Sequence, residues 1–141
     1  MSFLQALRAS AAGLTAQRTR MNLISQNLAN IETTRTETGE PYRRKDVVFA
    51  AGQAPGTFAA ELSAQAPAVR VAEVMEDPRP FPARYEPGHP DADAAGYVQL
   101  PNVELVEEMA NLVSAVRSYE ANVAAATASR RMAATALDIG R

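Results

Sequence analysis

The chain has 141 residues, 47% of them hydrophobic, with a net charge of −2 and neither cysteine nor tryptophan. That is the length of one ordinary domain, but much of the apolar content is alanine and only 6% of residues are aromatic, so a single large core is not expected. Nothing in this balance suggests a nucleic-acid binder, and the missing cysteines exclude disulfides and thiol chemistry.

The start, Met1 to Arg8, has neither the basic region nor the continuous apolar run of a secretory signal. No segment approaches the roughly 18 uninterrupted apolar residues of a membrane span. If the protein works outside the cytoplasm, it must leave by a route that needs no cleaved signal. Leu7, Leu14, Met21 and Leu28 recur every seven residues, with Phe3, Ile24 and Ile31 on the flanking position. This stripe predicts a helix from Phe3 to Ile31, about 43 Å long. Ser10 and Gln17 interrupt the stripe. Gly13 costs roughly 1 kcal/mol against alanine in a helix, but it lies among small residues that let another helix approach.

All nine prolines fall between Pro41 and Pro101. Thr33 to Pro41 is polar and turn-rich. Tyr42 to Phe49 reads as a strand or extended arm, Ala50 to Gly56 as a loop, and Phe58 to Leu62 fits either. Val69, Val71 and Val74 alternate with polar residues, as in a short strand. Pro78, Pro80 and Pro82 forbid regular structure. Tyr85 to Asp93 is turn-like, and Tyr97 to Leu100 predicts a last short strand.

A second long helix is predicted from Val103 to Leu137, about 52 Å. Asn102 is the candidate N-cap, Glu104, Glu107 and Glu108 suit the positive end of the helix dipole, and Gly140 is the candidate stop. Leu105, Met109, Leu112, Val116, Tyr119 and Val123 form its apolar stripe, which thins to alanine further on. The expected class is mainly α: long N- and C-terminal helices pairing as a coiled-coil-like hairpin, with a small irregular β and loop middle. The divisions are 1–32, 33–101 and 102–141. Either stripe could be covered within the molecule, but one alanine-rich pair of helices is marginal alone, which favours assembly with other subunits.

Little in the chain reads as chemistry. His89, Asp91 and Asp93 could ligate a cation, but His89 is the sole histidine and the surrounding glycine and prolines read more simply as a tight turn, its aspartates capping backbone N–H groups. Arg43-Arg44-Lys45 could hold an anion; a solvated or inter-subunit salt-bridge role fits better, since Asp46 follows. Glu107 and Glu108 are explained by the helix dipole. No phosphate loop, dinucleotide glycine pattern or nucleophile elbow is present, and no enzyme or cofactor is implied.

Two stretches resemble a known family. Gly13 to Asn22, followed by Ile24-Ser25-Gln26-Asn27-Leu28-Ala29-Asn30, is similar to the N-terminal signature of the bacterial flagellar rod and hook proteins. Asn102 to Met109, Ser118 to Asn122 and Ala136 to Gly140 resemble that family's C-terminal helix. Pro41-Tyr42-Arg43-Arg44, Tyr85-Glu86-Pro87-Gly88-His89-Pro90-Asp91-Ala92-Asp93 and Pro101-Asn102-Val103 resemble a proximal rod component. Thr33-Thr34-Arg35-Thr36 lacks the glycine that many hook and distal-rod relatives carry after the threonines. The resemblance implies a structural subunit, exported unfolded by the flagellar type III apparatus and assembled helically into the rod that crosses the periplasm. Implied partners are other rod subunits, the rod-to-ring adapter, and the inner-membrane ring and export gate. The implied subunit-interface seam is Leu7, Leu14, Met21, Ile24, Leu28 and Ile31 with the stripe of the second helix. The alternative is a free-standing coiled-coil adaptor or export chaperone.

Overall fold

The computed structural model describes residues 3–52 and 68–139. The readings for Phe58 to Leu62, for the last part of the Ala50 to Gly56 loop and for Gly140 lie outside the described residues. The elements run α1 (Phe3–Ala29), β1 (Lys45–Ala51), β2 (Val69–Glu76), β3 (Ala83–Tyr85), β4 (Tyr97–Gln99) and α2 (Leu105–Ile139). Two long helices with a small β-containing middle are therefore observed. The strands form two separate antiparallel pairs, β1 with β2 and β3 with β4.

α1 ends where Asn30 takes over the orphaned carbonyls of its last turn: the Asn30 side-chain amide donates to the Gln26 carbonyl at 2.8 Å, and its N–H donates to the same oxygen at 3.1 Å. The predicted end at Ile31 therefore comes two residues late. α2 starts at Leu105, where the Glu104 carbonyl accepts the Glu108 N–H at 3.0 Å. Asn102 is not its cap; that side chain is turned to the middle segment. Within the helices Thr15, Thr19, Ser118, Asn122, Thr127 and Thr135 each donate to the carbonyl four residues back, so these polar positions need no outside partner.

The helices pack antiparallel. Asn27 meets Glu108 at one end and Gly13 meets Asn122 further along, the same number of residues apart on each helix. The buried positions are mostly small or polar: Ser10, Ala16 and Asn27 are buried on α1, with Leu23 and Ile24 as its bulky members, and Glu108, Ala115 and Ser129 on α2. Gly13 allows a close approach at the crossing: a Cβ there would lie 2.7 Å from the Asn122 amide oxygen, so that side chain would have to move.

β1 and β2 lie on α1. Val47 is buried and opposite Val74, and a bulge follows between Val48 and Phe49. The prolines keep residues 77–82 out of any ladder. β3 and β4 form the other pair, with Val98 only 1% exposed beneath it and Arg84 opposite Val98. Gly96, at φ +82°, closes this pair; a Cβ there would press on the Tyr85 ring at 2.9 Å.

Candidate functional site

Where the middle segment leaves α1 and returns to α2, polar side chains converge instead of apolar ones. Asn27 is buried and satisfied on every side. Its amide nitrogen donates to the Lys45 carbonyl at 2.8 Å and to Glu108 Oε2 at 3.0 Å, while its oxygen accepts from the Lys45 N–H at 3.0 Å and the Tyr42 hydroxyl at 2.9 Å. Glu108, with no exposed surface, takes its second bond from Arg44 Nε at 2.7 Å. The Arg44 guanidinium also meets Asp46 at 3.2 Å and Asp77 at 3.5 Å. Its backbone N–H donates to Asn102 Oδ1 at 2.8 Å, and the Asn102 amide donates to the carbonyls of Asp77 and Arg79, each at 3.1 Å. Arg79 closes the cluster on Asp77 at 2.7 Å and Glu107 at 3.2 Å. This clamp joins α1, the start of β1, the segment after β2 and the first turn of α2.

Electrostatics follow from the pairing. The bond from Arg79 holds the Asp77 carboxyl below its usual value against the opposing effect of burial, and Arg44 adds to it. Burial would lower the Arg44 pKa, yet its bond and proximity to Glu108 keep it raised. Burial, then the Glu108 and Glu76 charges, raises the Tyr42 phenol, which stays neutral and donating. Three readings made from the sequence are corrected here. Arg44 is not solvated or inter-subunit but buried and paired within the molecule. Glu108 stands in the first turn of α2, but the dipole alone does not explain it: it is buried on Arg44 and Asn27. Asn102 is an anchor for the middle segment.

The remaining motif residues sit in local structure. Thr33 donates to Asn30 Oδ1 at 3.2 Å, tying the chain down as it leaves α1. Asp93 Oδ1 accepts the N–H groups of Ala95 and Tyr97, each at 2.9 Å, and His89 Nδ1 accepts that of Asp91 at 3.1 Å, so this stretch is the capped turn expected. Asp91 is taken by the Thr34 hydroxyl at 2.8 Å and by Arg35 at 3.5 Å. No three His, Asp or Glu side chains among the described residues converge as a metal site. Tyr85 and Tyr97 meet edge to face at 5.3 Å, with Pro87 against Gly96. Pro101 is buried beside Asn102, while Leu28 is half-buried, and Ala29, Gly88 and Pro90 are exposed.

The apolar stripes fall differently on the two helices. On α1, Ile24 is buried and Leu7, Leu14, Met21 and Leu28 are half-buried, as is Ile31 just beyond its end. On α2, Leu112 and Tyr119 are half-buried, but Leu105, Met109, Val116 and Val123 stay 38–54% exposed. Val106 and Val113 widen this uncovered surface. The hairpin thus uses the small-residue side of α2 and leaves its bulky side open.

Family models agree with this layout. Residues 7–35 match the model for flagella basal body rod protein, and residues 94–139 match that for the flagellar basal body rod FlgEFG protein C-terminal region. The flagellar basal-body rod protein FlgC of Bacillus subtilis is 45% identical over the whole of both chains. This chain belongs to the FlgC family. The Escherichia coli FlgC is 42% identical, again over both full lengths, and that of Borreliella burgdorferi is 41% identical over 99% of this chain and 98% of its own. The chain is a structural subunit of the proximal rod of the flagellar basal body, in a family not known to be enzymatic. Rod membership implies assembly with other basal-body components. No described helix is long and apolar enough to cross a membrane.

Proposed function

We propose that this subunit assembles helically with like and unlike rod proteins by burying the open stripe of α2 against neighbouring helices. Leu7, Leu14, Met21 and Leu28 of α1 and Ile31 just after it complete the seam, and coiled-coil-like pairing takes place between subunits as well as within them. One observation carries the reading: the bulky side of α2 is uncovered while its small side makes the hairpin. Residues such as Leu105 and Met109 still have about half their surface to bury, on the order of 1 kcal/mol each at about 25 cal/mol per Å². Repeated along a tube, such contacts give a shaft that resists twisting. The clamp fixes the direction in which the middle segment leaves the helices, so torque taken up by one reaches the other. Partners on this reading are other rod subunits, the rod-to-ring adapter, and the inner-membrane ring and export gate. The subunit reaches the periplasm unfolded through the flagellar type III apparatus, without a cleaved signal.

The test is Val116→Asp and, separately, Leu28→Asp, in cells lacking the native subunit. Either change puts an unpaired charge in the seam, so rods fail to form and motility is lost. Normal motility with the protein present at native levels overturns the reading. A small closed oligomer of the free chain with both helices already formed would instead favour an adaptor or chaperone.

A further inference from the structure

α1 has an unusual charge pattern. From Phe3 to Ala29 it carries Arg8, Arg18 and Arg20 and no acidic residue. Arg20 turns to α2, donating to Asn111 at 3.4 Å. Arg8 and Arg18 are exposed on the other side, with Leu4, Ala11, Thr15 and Asn22 around them, and make no ion pair among the described residues. The opposite charge gathers where the 33–41 loop meets the β3–β4 pair. Glu32, Glu37, Glu40 and Asp93 are exposed in or next to these segments, while Asp91 is paired with Arg35 and Glu86 with Arg84, so the surface is acidic on balance. A groove of about 450 Å³ opens between the two segments, lined among others by Thr34, Arg35, Pro41, Asp91, Asp93 and Tyr97. Arg8 lies roughly 30 Å along α1 from Ala29, where the chain turns towards this acidic end.

We propose that the arginine face of α1 docks on the acidic end of a second copy of this chain. Charge complementarity argues for it, and so does separation, because surfaces at different ends of one molecule can be satisfied only head to tail. A heterologous contact of that kind propagates as an open helix. Charge steers the incoming subunit and fixes its polarity, while the apolar seam holds it. The inference rests on the helical-assembly reading above and names the partner of one more face.

Sedimentation of the purified chain tests it, at about 20 mM and about 500 mM salt, on either side of strong screening. Self-association should weaken at least about tenfold at the higher salt. Arg8→Glu with Arg18→Glu should lose it by a similar factor, as should Glu37→Lys with Glu40→Lys, two exposed acids. Mixing the two reversed chains should restore association, since each then offers the charge the other needs. Arg8→Gln with Arg18→Gln repeats the test without introducing acids into the helix, with a smaller loss. Reversed chains that associate like the unaltered one, or a mixture that does not recover, overturn the proposal. So does an unaltered chain with no salt-dependent self-association, which would assign this face to a different rod protein. Val116→Asp separates the two readings. If it blocks rods while the mixture fails, the apolar reading stands and the charged contact falls. If it leaves rods intact while the mixture recovers, the reverse holds.

Discussion

Arg44 and Glu108 show how much a single buried pair can decide. Neither is supported by apolar packing around a neutral group; each depends on the other and on Asn27 and Asn102. Removing one partner strands a buried charge, which costs about 3–5 kcal/mol, whereas replacing both with apolar residues is often close to neutral. Arg44→Met should therefore lower stability by about that amount, and Arg44→Met with Glu108→Leu should recover most of it; urea unfolding followed by circular dichroism measures both. The clamp also sets the pH limits of the middle segment. Asp77 has a folded pKa depressed below its ordinary 3.8, so its contribution is present above that value and lost as pH falls through the lower, folded one. Tyr42 is shifted up, so its contribution holds below pH 10 and is lost as pH rises through the raised value. An unfolding midpoint recorded against pH should be level near neutrality and fall at both extremes, and Arg79→Ala should make the acid-side fall shallower, because the bond that depresses Asp77 is gone.

The two helices carry two stripes each, and only one pair of stripes was plain in the sequence. Leu7, Leu14, Met21 and Leu28 announce themselves by hydropathy, as do Leu105, Met109, Val116 and Val123. The stripe that closes the hairpin has the same seven-residue spacing, in Gly13, Arg20 and Asn27 on α1 and Glu108, Ala115, Asn122 and Ser129 on α2. Hydropathy does not detect glycine, serine and asparagine as a seam, although their smallness is what lets the backbones approach. Gly13→Leu should consequently push Asn122 and α2 away and cost about 1–3 kcal/mol by overpacking, read as a lower melting temperature. The strand at Val69 was legible from alternation, and the turn at Asp93 from its glycine and prolines. The clamp was not, because a buried arginine and glutamate look like surface charges until their partners, far away in the chain, are known.

For the molecule as a whole, the clamp end and the free end differ in what holds them. Near Asn27 the helices share buried hydrogen bonds and the β1–β2 pair. Towards Phe3 and Ile139 they share little beyond Ser10 and Ser129, and Met132, Leu137 and Ile139 are 66–82% exposed. In the free subunit, amide exchange should be slowest around Leu23 to Asn27 and Glu108 to Ala115, and fast over the first turns of α1 and the last turns of α2. Strong protection of both outer ends in dilute monomer would contradict this gradient. The central claim, that neighbours cover the open side of α2, is tested most directly by thiol labelling, for which the absence of native cysteine provides a clean background. Val116→Cys should react readily with a maleimide in the purified monomer and be protected in isolated basal bodies. Equal labelling in both would show that the stripe stays open in the rod and would contradict the account.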